Sequence, residues 1–355
     1  MTLSWKLDWT VVPLALREPF RISRSVMTSR DAVQITLEHD GTVGDGEVVT
    51  SVYFGLDVRR ITDLLAAFAP VLADFPDPAS LLAALPDAAS CLAEAPGVLA
   101  AVDAAAHDLV GKQVGLPVHH LLGQPTWRPV TTARTIGITE PEHAATTAKL
   151  LVDQGFGTLK LKLGSPDPAD DLARVAAVRA VAPDARLVLD PNGAWRPDQA
   201  ARLLEEFARH DVDAVEQPIP PGTPDELARL ARSSPVPVIA DEDATSLADV
   251  ERLAGAVHGV NVKLAKCGGV SVAREIIATA RAAGTDVMLG CLVASSLGLA
   301  PAVHLTGHAR WVDLDGHLLL ADDPWTGIGG HDGVLRLSGR PGLGVRPARA
   351  REARS

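Results

Sequence analysis

The sequence predicts an α/β fold: a TIM-like barrel of the (β/α)7β type, with a smaller α+β domain ahead of it. Three observations predict it. From Pro129 onward eight short apolar runs recur: "TTARTIGI", "GTLKLKLG", "RLVLD", "DAVEQP", "PVIADE", "GVNVKL", "TDVMLG" and "RWVDLD". Amphipathic segments such as "DPADDLARVAAVRAVAP" and "RPDQAARLLEEFARH" lie between them. Strand, helix, strand at a period of about 25 residues is the pattern of parallel βαβ units. No glycine-rich phosphate loop follows a strand, which disfavours the competing doubly wound sheet. Eight runs fill a barrel, and the last helix, after "VDLD", is truncated.

The elements follow in order. Residues 1–55 read as strand and hairpin, since "AVQITLEHDGTVGDGEVV" alternates apolar and polar residues around an Asp-Gly turn. Residues 57–115 turn helical and rich in Ala and Leu, broken by Pro70, Pro76, Pro78, Pro86 and Pro96. The grouping is an α+β domain over 1–120 and the barrel over 121–325. The tail, 326–355, resumes a hairpin-like pattern in "GGHDGVLRLSGRPGLGVRPAR" and is expected to return to the N-terminal domain. Its last dozen residues, rich in Arg and Ala, read as disordered.

Composition narrows the function. The 355 residues are 47% hydrophobic with a net charge of −11, enough apolar material for a large core. The acidic balance argues against nucleic acid and anionic membrane surfaces as partners. No apolar run approaches the roughly 20 residues of a membrane span, and "MTLSWKLDWT" lacks a signal-peptide profile. Cys91, Cys267 and Cys291 give neither a disulfide framework nor a metal-ligand spacing. A cytoplasmic protein that binds a small molecule and assembles as a homo-oligomer is expected.

Arg outnumbers Lys by 26 to 7, yet four of the seven lysines fall in "KLKLG" and "NVKLAKCGG". Arg stays protonated, whereas Lys can be tuned to give up its proton. Lys160 and Lys162 lie two apart in one strand and therefore on one face. In a barrel, the C-terminal ends of the strands converge on one mouth. Reading those ends gives Lys162, Asp190, Glu216, Asp241, Lys263 and Asp313, at intervals of 28, 26, 25, 22 and 50, the last spanning two units.

Asp190, Glu216 and Asp241 are carboxylates from three consecutive strands, and unneutralised they repel. Singly, each is explained as a helix cap. In phase, with lysines on both sides, they read as an all-oxygen set for Mg²⁺, or Mn²⁺, rather than zinc. Lys162 and Lys263 then flank the metal from opposite sides. That suits proton transfer at a carbon next to a carboxylate. Lys160 supplies a neighbouring positive charge that lowers the proton affinity of Lys162.

In this order, "KLKLG", "DPNGAW", "EQP", "ADED" and "NVKLAKCGG" resemble the enolase superfamily, specifically the muconate lactonizing enzyme subgroup with its Lys-x-Lys signature. Sites of that superfamily use a Lys or His base with one or two Mg²⁺ stabilising an enediolate. The likeness covers nearly the whole chain. It implies an N-terminal capping domain whose loops close the mouth, Asp190, Glu216 and Asp241 as Mg²⁺ ligands, and Lys162 and Lys263 as the acid/base pair. Lys263 is preferred to Lys266 because it ends its strand. No histidine occupies "DVMLG", which argues against the His-base type.

"VDLDGHLLL" resembles the dipeptide epimerases of this subgroup. The resemblance implies Asp313 and Asp315 as the partners of a dipeptide's free ammonium, with Lys160 also facing the substrate. The activity expected is epimerisation at the α-carbon of the C-terminal residue. N-acylamino acid racemase, o-succinylbenzoate synthase and muconate cycloisomerase chemistry are alternatives that use the same metal and lysines. A binding barrel without turnover is a more distant one. "PFRISRSVMTS" places Arg21, Arg24 and Arg30 near the entrance, and Arg24 best matches the Arg that reaches an acidic side chain in relatives acting on Ala-Glu. Tyr53 and Phe54 in "VTSVYFG" offer apolar contact from a second lid loop. One departure is "GCLVASS", with Ala294 where relatives often carry an acid. His119, His120, His304 and His308 read as structural.

Overall fold

The computed structural model describes residues 5–348. The chain opens with three antiparallel strands, Trp5–Ile22, Ser25–His39 and Thr42–Val49. Asp40 and Gly41, both at positive φ (50° and 74°), make the tight turn between the last two, as an Asp-Gly hairpin requires. Helix Pro96–Val114 lies directly on the third strand. That contact needs glycine: a Cβ on Gly44 would stand 2.1 Å from Ala105 O, and one on Gly46 2.1 Å from Ala101 O. Pro96 opens this helix and Gly115, at φ 72°, ends it.

Eight parallel strands follow: Arg134–Ile136, Thr158–Lys162, Arg186–Asp190, Ala214–Glu216, Val238–Ala240, Gly259–Val262, Asp286–Leu289 and Trp311–Val312. They are hydrogen-bonded in sequence order. Ala133 N–H donates to Val312 O at 2.8 Å, so the first and last strands meet. The expected barrel is present, and only a short 3₁₀ turn, Gly316–Leu319, follows the eighth strand.

Strand residues two apart share a face, and this sets the phase of the charges. Val188, Ala214, Ile239, Met288 and Trp311 form an apolar plug low in the barrel. Asp190, Glu216, Asp241 and Asp313 stand two residues further along their strands, one layer up. Gly259 leaves room for the Trp311 ring, which a Cβ there would meet at 2.8 Å.

The tail packs back on what precedes it. Val118 N–H donates to Gly342 O, and Leu343 N–H to the Asp108 carboxylate. Part of the segment read as disordered is structured: Arg346–Pro347 pairs with Trp325–Thr326. The remainder of that expectation, 349–355, lies outside the described residues. Among the described residues, no helix is long and apolar enough to cross a membrane.

One buried pair joins the N-terminal helix to the barrel. Asp103 accepts from Val270 N–H and Ser271 Oγ, each at 2.7 Å, and so caps helix Val270–Ala282. His107 Nδ1 lies 3.3 Å from Asp103 Oδ2. Burial lowers the His107 imidazole, but attraction to Asp103 outweighs it and leaves the net shift upward from its ordinary 6.5. A raised folded-state value stabilises fully below 6.5 and is lost as pH rises through the folded value. Urea midpoints are therefore expected to fall with rising pH above 6.5 in the wild type, with this component missing in His107→Gln.

Candidate active site

The strand ends deliver the charged residues to one mouth. Lys162, Asp190 and Glu216 are the last residues of their strands, and Asp241, Lys263 and Asp313 each stand one residue beyond theirs. Lys160, Asp190 and Glu216 are at most 1% exposed. A cavity of about 870 Å³ opens above them. Lys160, Lys162, Lys263, Asp241, Asp313 and Asp315 share its wall. Phe20, Met27, Phe54 and Leu319 give it apolar sides, from both cap and barrel.

Four ammonium groups, of Lys160, Lys162, Lys263 and Lys266, face four carboxylates, of Asp190, Glu216, Asp241 and Asp313. Lys160 Nζ is 2.7 Å from Asp313, 3.1 Å from Asp190 and 2.5 Å from Glu216. Lys162 contacts Asp190. Lys263 Nζ lies 2.6 Å from Asp241 and 3.6 Å from Glu216. Burial lowers the Lys160 amine, but Asp313, Glu216 and Asp190 outweigh it and hold it well above its ordinary value. Lys263 is likewise raised against burial, by Asp241 and Glu216. Burial and then Asp190 push Glu216 up to about 7. Asp190 and Asp241 are pulled down, against burial, by their lysines.

Lys160 is the positive neighbour of Lys162 that the sequence predicts, but its charge is balanced by three carboxylates, two from the third and fourth strands and Asp313, which closing the barrel brings from the eighth strand against the second.

Lys266, passed over in favour of Lys263, has a distinct place. It is 4% exposed and donates to Asp241 Oδ1 at 2.5 Å, Asp241 O at 2.7 Å and Asn261 O at 2.9 Å. All three ammonium protons are used, two on backbone carbonyls, which is the arrangement of a structural amine. Lys266→Met should cost about 2 kcal/mol of stability, read from urea unfolding, because it removes the donor of three buried hydrogen bonds while Asp241 keeps Lys263 at 2.6 Å as its counter-ion.

The acid trio provides only oxygen donors, the chemistry that suits Mg²⁺ or Mn²⁺. Glu216 Oε2 is buried and meets only the Lys160 ammonium, at 2.5 Å without hydrogen-bond alignment, and Asn261 Oδ1 is buried with no hydrogen-bond partner. These are donors a hard cation would satisfy. Among the described residues no three acidic, His or Cys side chains converge on one ion position, since the acids are turned onto lysines.

Asp313 and Asp315 flank Thr135, whose single Oγ1 proton is shared between them at 3.4 and 3.2 Å. Asp315 also accepts from Arg134 Nη1 at 3.0 Å and Thr135 N–H at 2.7 Å. Arg24 reaches the mouth, but its guanidinium is engaged by Glu242 at 2.9 Å and lies 4.7 Å over the Tyr53 ring. Arg30 lines the same cavity, donates to Val293 O at 3.4 Å, and is lowered by burial to about 10. Beside Ala294 a carboxylate arrives from the cap: Glu47 accepts from Ser295 N–H at 2.8 Å and Ser295 Oγ at 2.5 Å.

Sequence reasoning assigned no role to Asn192, Asn261, Glu242 or Arg134. Asn261 had a signal, since it lies two residues before Lys263 on the same face. It donates to Glu216 Oε1 at 2.8 Å.

The chain is similar over nearly its whole length to known proteins. The chain is 36% identical over 346 residues to the hydrophobic dipeptide epimerase of Roseobacter litoralis, covering 96% of this chain and 98% of that protein. It is 33% identical to the L-Ala-D/L-Glu epimerase of Bacteroides thetaiotaomicron, covering 96% and 88%. The dipeptide epimerase of Enterococcus faecalis, solved with Mg and L-Leu-L-Tyr, superposes with a TM-score of 0.91 at 30% identity, covering 97% and 99%. Residues 6–123 match the mandelate racemase / muconate lactonizing enzyme N-terminal domain, and residues 143–351 match the enolase C-terminal domain-like family. With a barrel mouth ringed by lysines and acids under a three-stranded cap, and both halves matched, the chain belongs to the mandelate racemase / muconate lactonizing enzyme family of the enolase superfamily.

Proposed function

We propose that this chain is a Mg²⁺-dependent dipeptide epimerase, an isomerase that moves a proton on and off the α-carbon of the C-terminal residue. The observation that carries this reading is the placement of Lys162 and Lys263 on two flanks of the Asp190, Glu216 and Asp241 trio, in one cavity with Asp313 and Asp315. Relatives similar over nearly the whole chain act on dipeptides.

Asp190, Glu216 and Asp241 are the proposed Mg²⁺ ligands. Bound there, the ion would hold the substrate carboxylate and draw charge from the enediolate that forms when the α-proton leaves. The two lysines do the proton work. One, neutral, removes the α-proton, and the other, as ammonium on the opposite face, returns one. An ion held by the trio would take over the counter-charge those carboxylates now give the two amines, leaving Lys162 and Lys263 free to face the substrate. Lys160 keeps Asp313 oriented beside Asp315, and these two acids take the dipeptide's free ammonium. The single acid/base roles, the cap boundary near residue 120 and the tail from 326 belong to the same proposal. So do a cytoplasmic location, which three free cysteines fit, and assembly as a homo-oligomer, which light scattering checks.

The test is solvent exchange. An L,L-dipeptide library incubated in deuterated water with the enzyme and Mg²⁺ should gain one deuterium at the C-terminal α-carbon, with inversion, in a subset of members. Chelation by EDTA should abolish the gain, and Mg²⁺ or Mn²⁺ should restore it. Deuterium entering equally with and without the divalent ion would end the metal assignment.

A further inference from the structure

Arg24 sits in the turn between the first two cap strands, and Tyr53 in the loop that follows the third. One guanidinium ties both to the barrel: Arg24 lies over the Tyr53 ring and donates to Glu242 Oε1 at 2.9 Å. The Glu242 side chain is only 4% exposed. The same Oε1 lies 3.4 Å from Asn192 Nδ2, and Arg24 also reaches Asn192 O at 3.4 Å. On its other edge, Asn192 Oδ1 stands 3.3 Å from Lys162 Nζ. The contacts run from two cap loops through Glu242 and Asn192 to the amine.

The chemistry of these groups gives the chain a direction. An Asn amide presents a donor edge and an acceptor edge. Here the donor edge meets a carboxylate and the acceptor edge an ammonium, so one orientation satisfies both and the flipped one satisfies neither. Asn192 cannot drift either, because its N–H donates to Asp190 Oδ1 at 2.9 Å from a left-handed backbone at φ 49°, a conformation Asn tolerates. Asp190 already serves as the ionic partner of Lys162. Asn192 adds a neutral acceptor that fixes direction without adding charge.

We propose that Glu242 and Asn192 are positioning residues that couple closure of the cap loops to the alignment of Lys162. The inference rests on Lys162 being one of the two acid/bases. When the loops open, Glu242 loses its guanidinium, the Asn192 amide loses its anchor, and Lys162 loses its second acceptor. The amine is then aligned only when the cap is shut and water is excluded. Among the described residues Lys263 has no hydrogen bond to Asn192 or to a cap loop, its partners being Asp241 and Glu216, so the two halves of the reaction differ in their dependence on the lid.

The experiment measures α-proton exchange in deuterated water separately for the two stereoisomers of an accepted dipeptide, in Arg24→Met, Asn192→Ala and the wild type. Exchange of the stereoisomer that Lys162→Ala also disables should fall by about 10- to 100-fold, the scale of a misplaced catalytic group. The other stereoisomer should fall by no more than about threefold. Equal slowing of both, or no slowing, in folded variants overturns the proposal. If the wild type exchanges no dipeptide, the epimerase reading has failed, and amide hydrogen exchange decides the coupling alone. In Arg24→Met, protection should drop by about fivefold or more in residues 22–30, 51–56 and also 190–195. Loosening confined to the cap loops would overturn it.

Discussion

Lys162→Ala and Lys263→Ala should each reduce epimerisation by about 10⁴-fold, the upper range for loss of a general acid or base. Both variants are expected to stay folded. Without Lys162, Asp190 keeps Lys160 at 3.1 Å. Without Lys263, Asp241 keeps Lys266 at 2.5 Å. Neither change leaves a carboxylate buried without a cation, the condition that makes a lost ion pair severe. The stereochemical signature matters more than the size of the loss. Each variant should still exchange the α-proton of the one stereoisomer facing its surviving lysine, returning it uninverted. Chiral chromatography with mass spectrometry reads both quantities. Full epimerase activity in Lys162→Ala would remove the two-base mechanism.

Asp313→Asn is expected to lower kcat/KM for dipeptides by about 30-fold or more, corresponding to about 2 kcal/mol for loss of a buried charge partner. The substitution keeps the shape of the side chain. Lys160 retains Asp190 and Glu216 as counter-ions, so the acid trio keeps its arrangement. What disappears is negative charge next to Asp315, where the substrate ammonium is proposed to sit. An N-acetylated dipeptide has no ammonium to lose. The ratio of kcat/KM between free and N-acetylated dipeptide should therefore collapse toward one in the variant. That ratio separates a dipeptide epimerase from the N-acylamino acid racemase and cycloisomerase alternatives. A uniform loss on both substrates would reduce Asp313 to a support for Lys160.

Much of the site was legible because the barrel is a local repeat. Each strand aims alternate residues inward, so a charge two positions after an inward apolar residue must rise above the plug formed by Val188, Ala214, Ile239, Met288 and Trp311. Reading the C-terminal ends of the strands found the acids, Lys162 and Lys263 without knowledge of their contacts. Asn261, on the same face two residues before Lys263, was overlooked for lack of charge. Arg24 was legible as a residue at the mouth, but its engagement by Glu242, 218 positions away, was not.

Strand order, the phase of the charged strand ends and the oxygen-only character of the acid trio are all written in the residues, because they depend on short-range periodicity and residue chemistry. Which charge meets which is a matter of folding. Lys160 finds Asp313 across 153 residues, Asp315 finds Arg134 across 181, and Gly44 and Gly46 admit a helix whose approach no local pattern announces. The physical reason is that a charge pairs with whatever chain closure brings within a few ångströms in a poorly hydrated interior, and closure joins the two ends of the barrel.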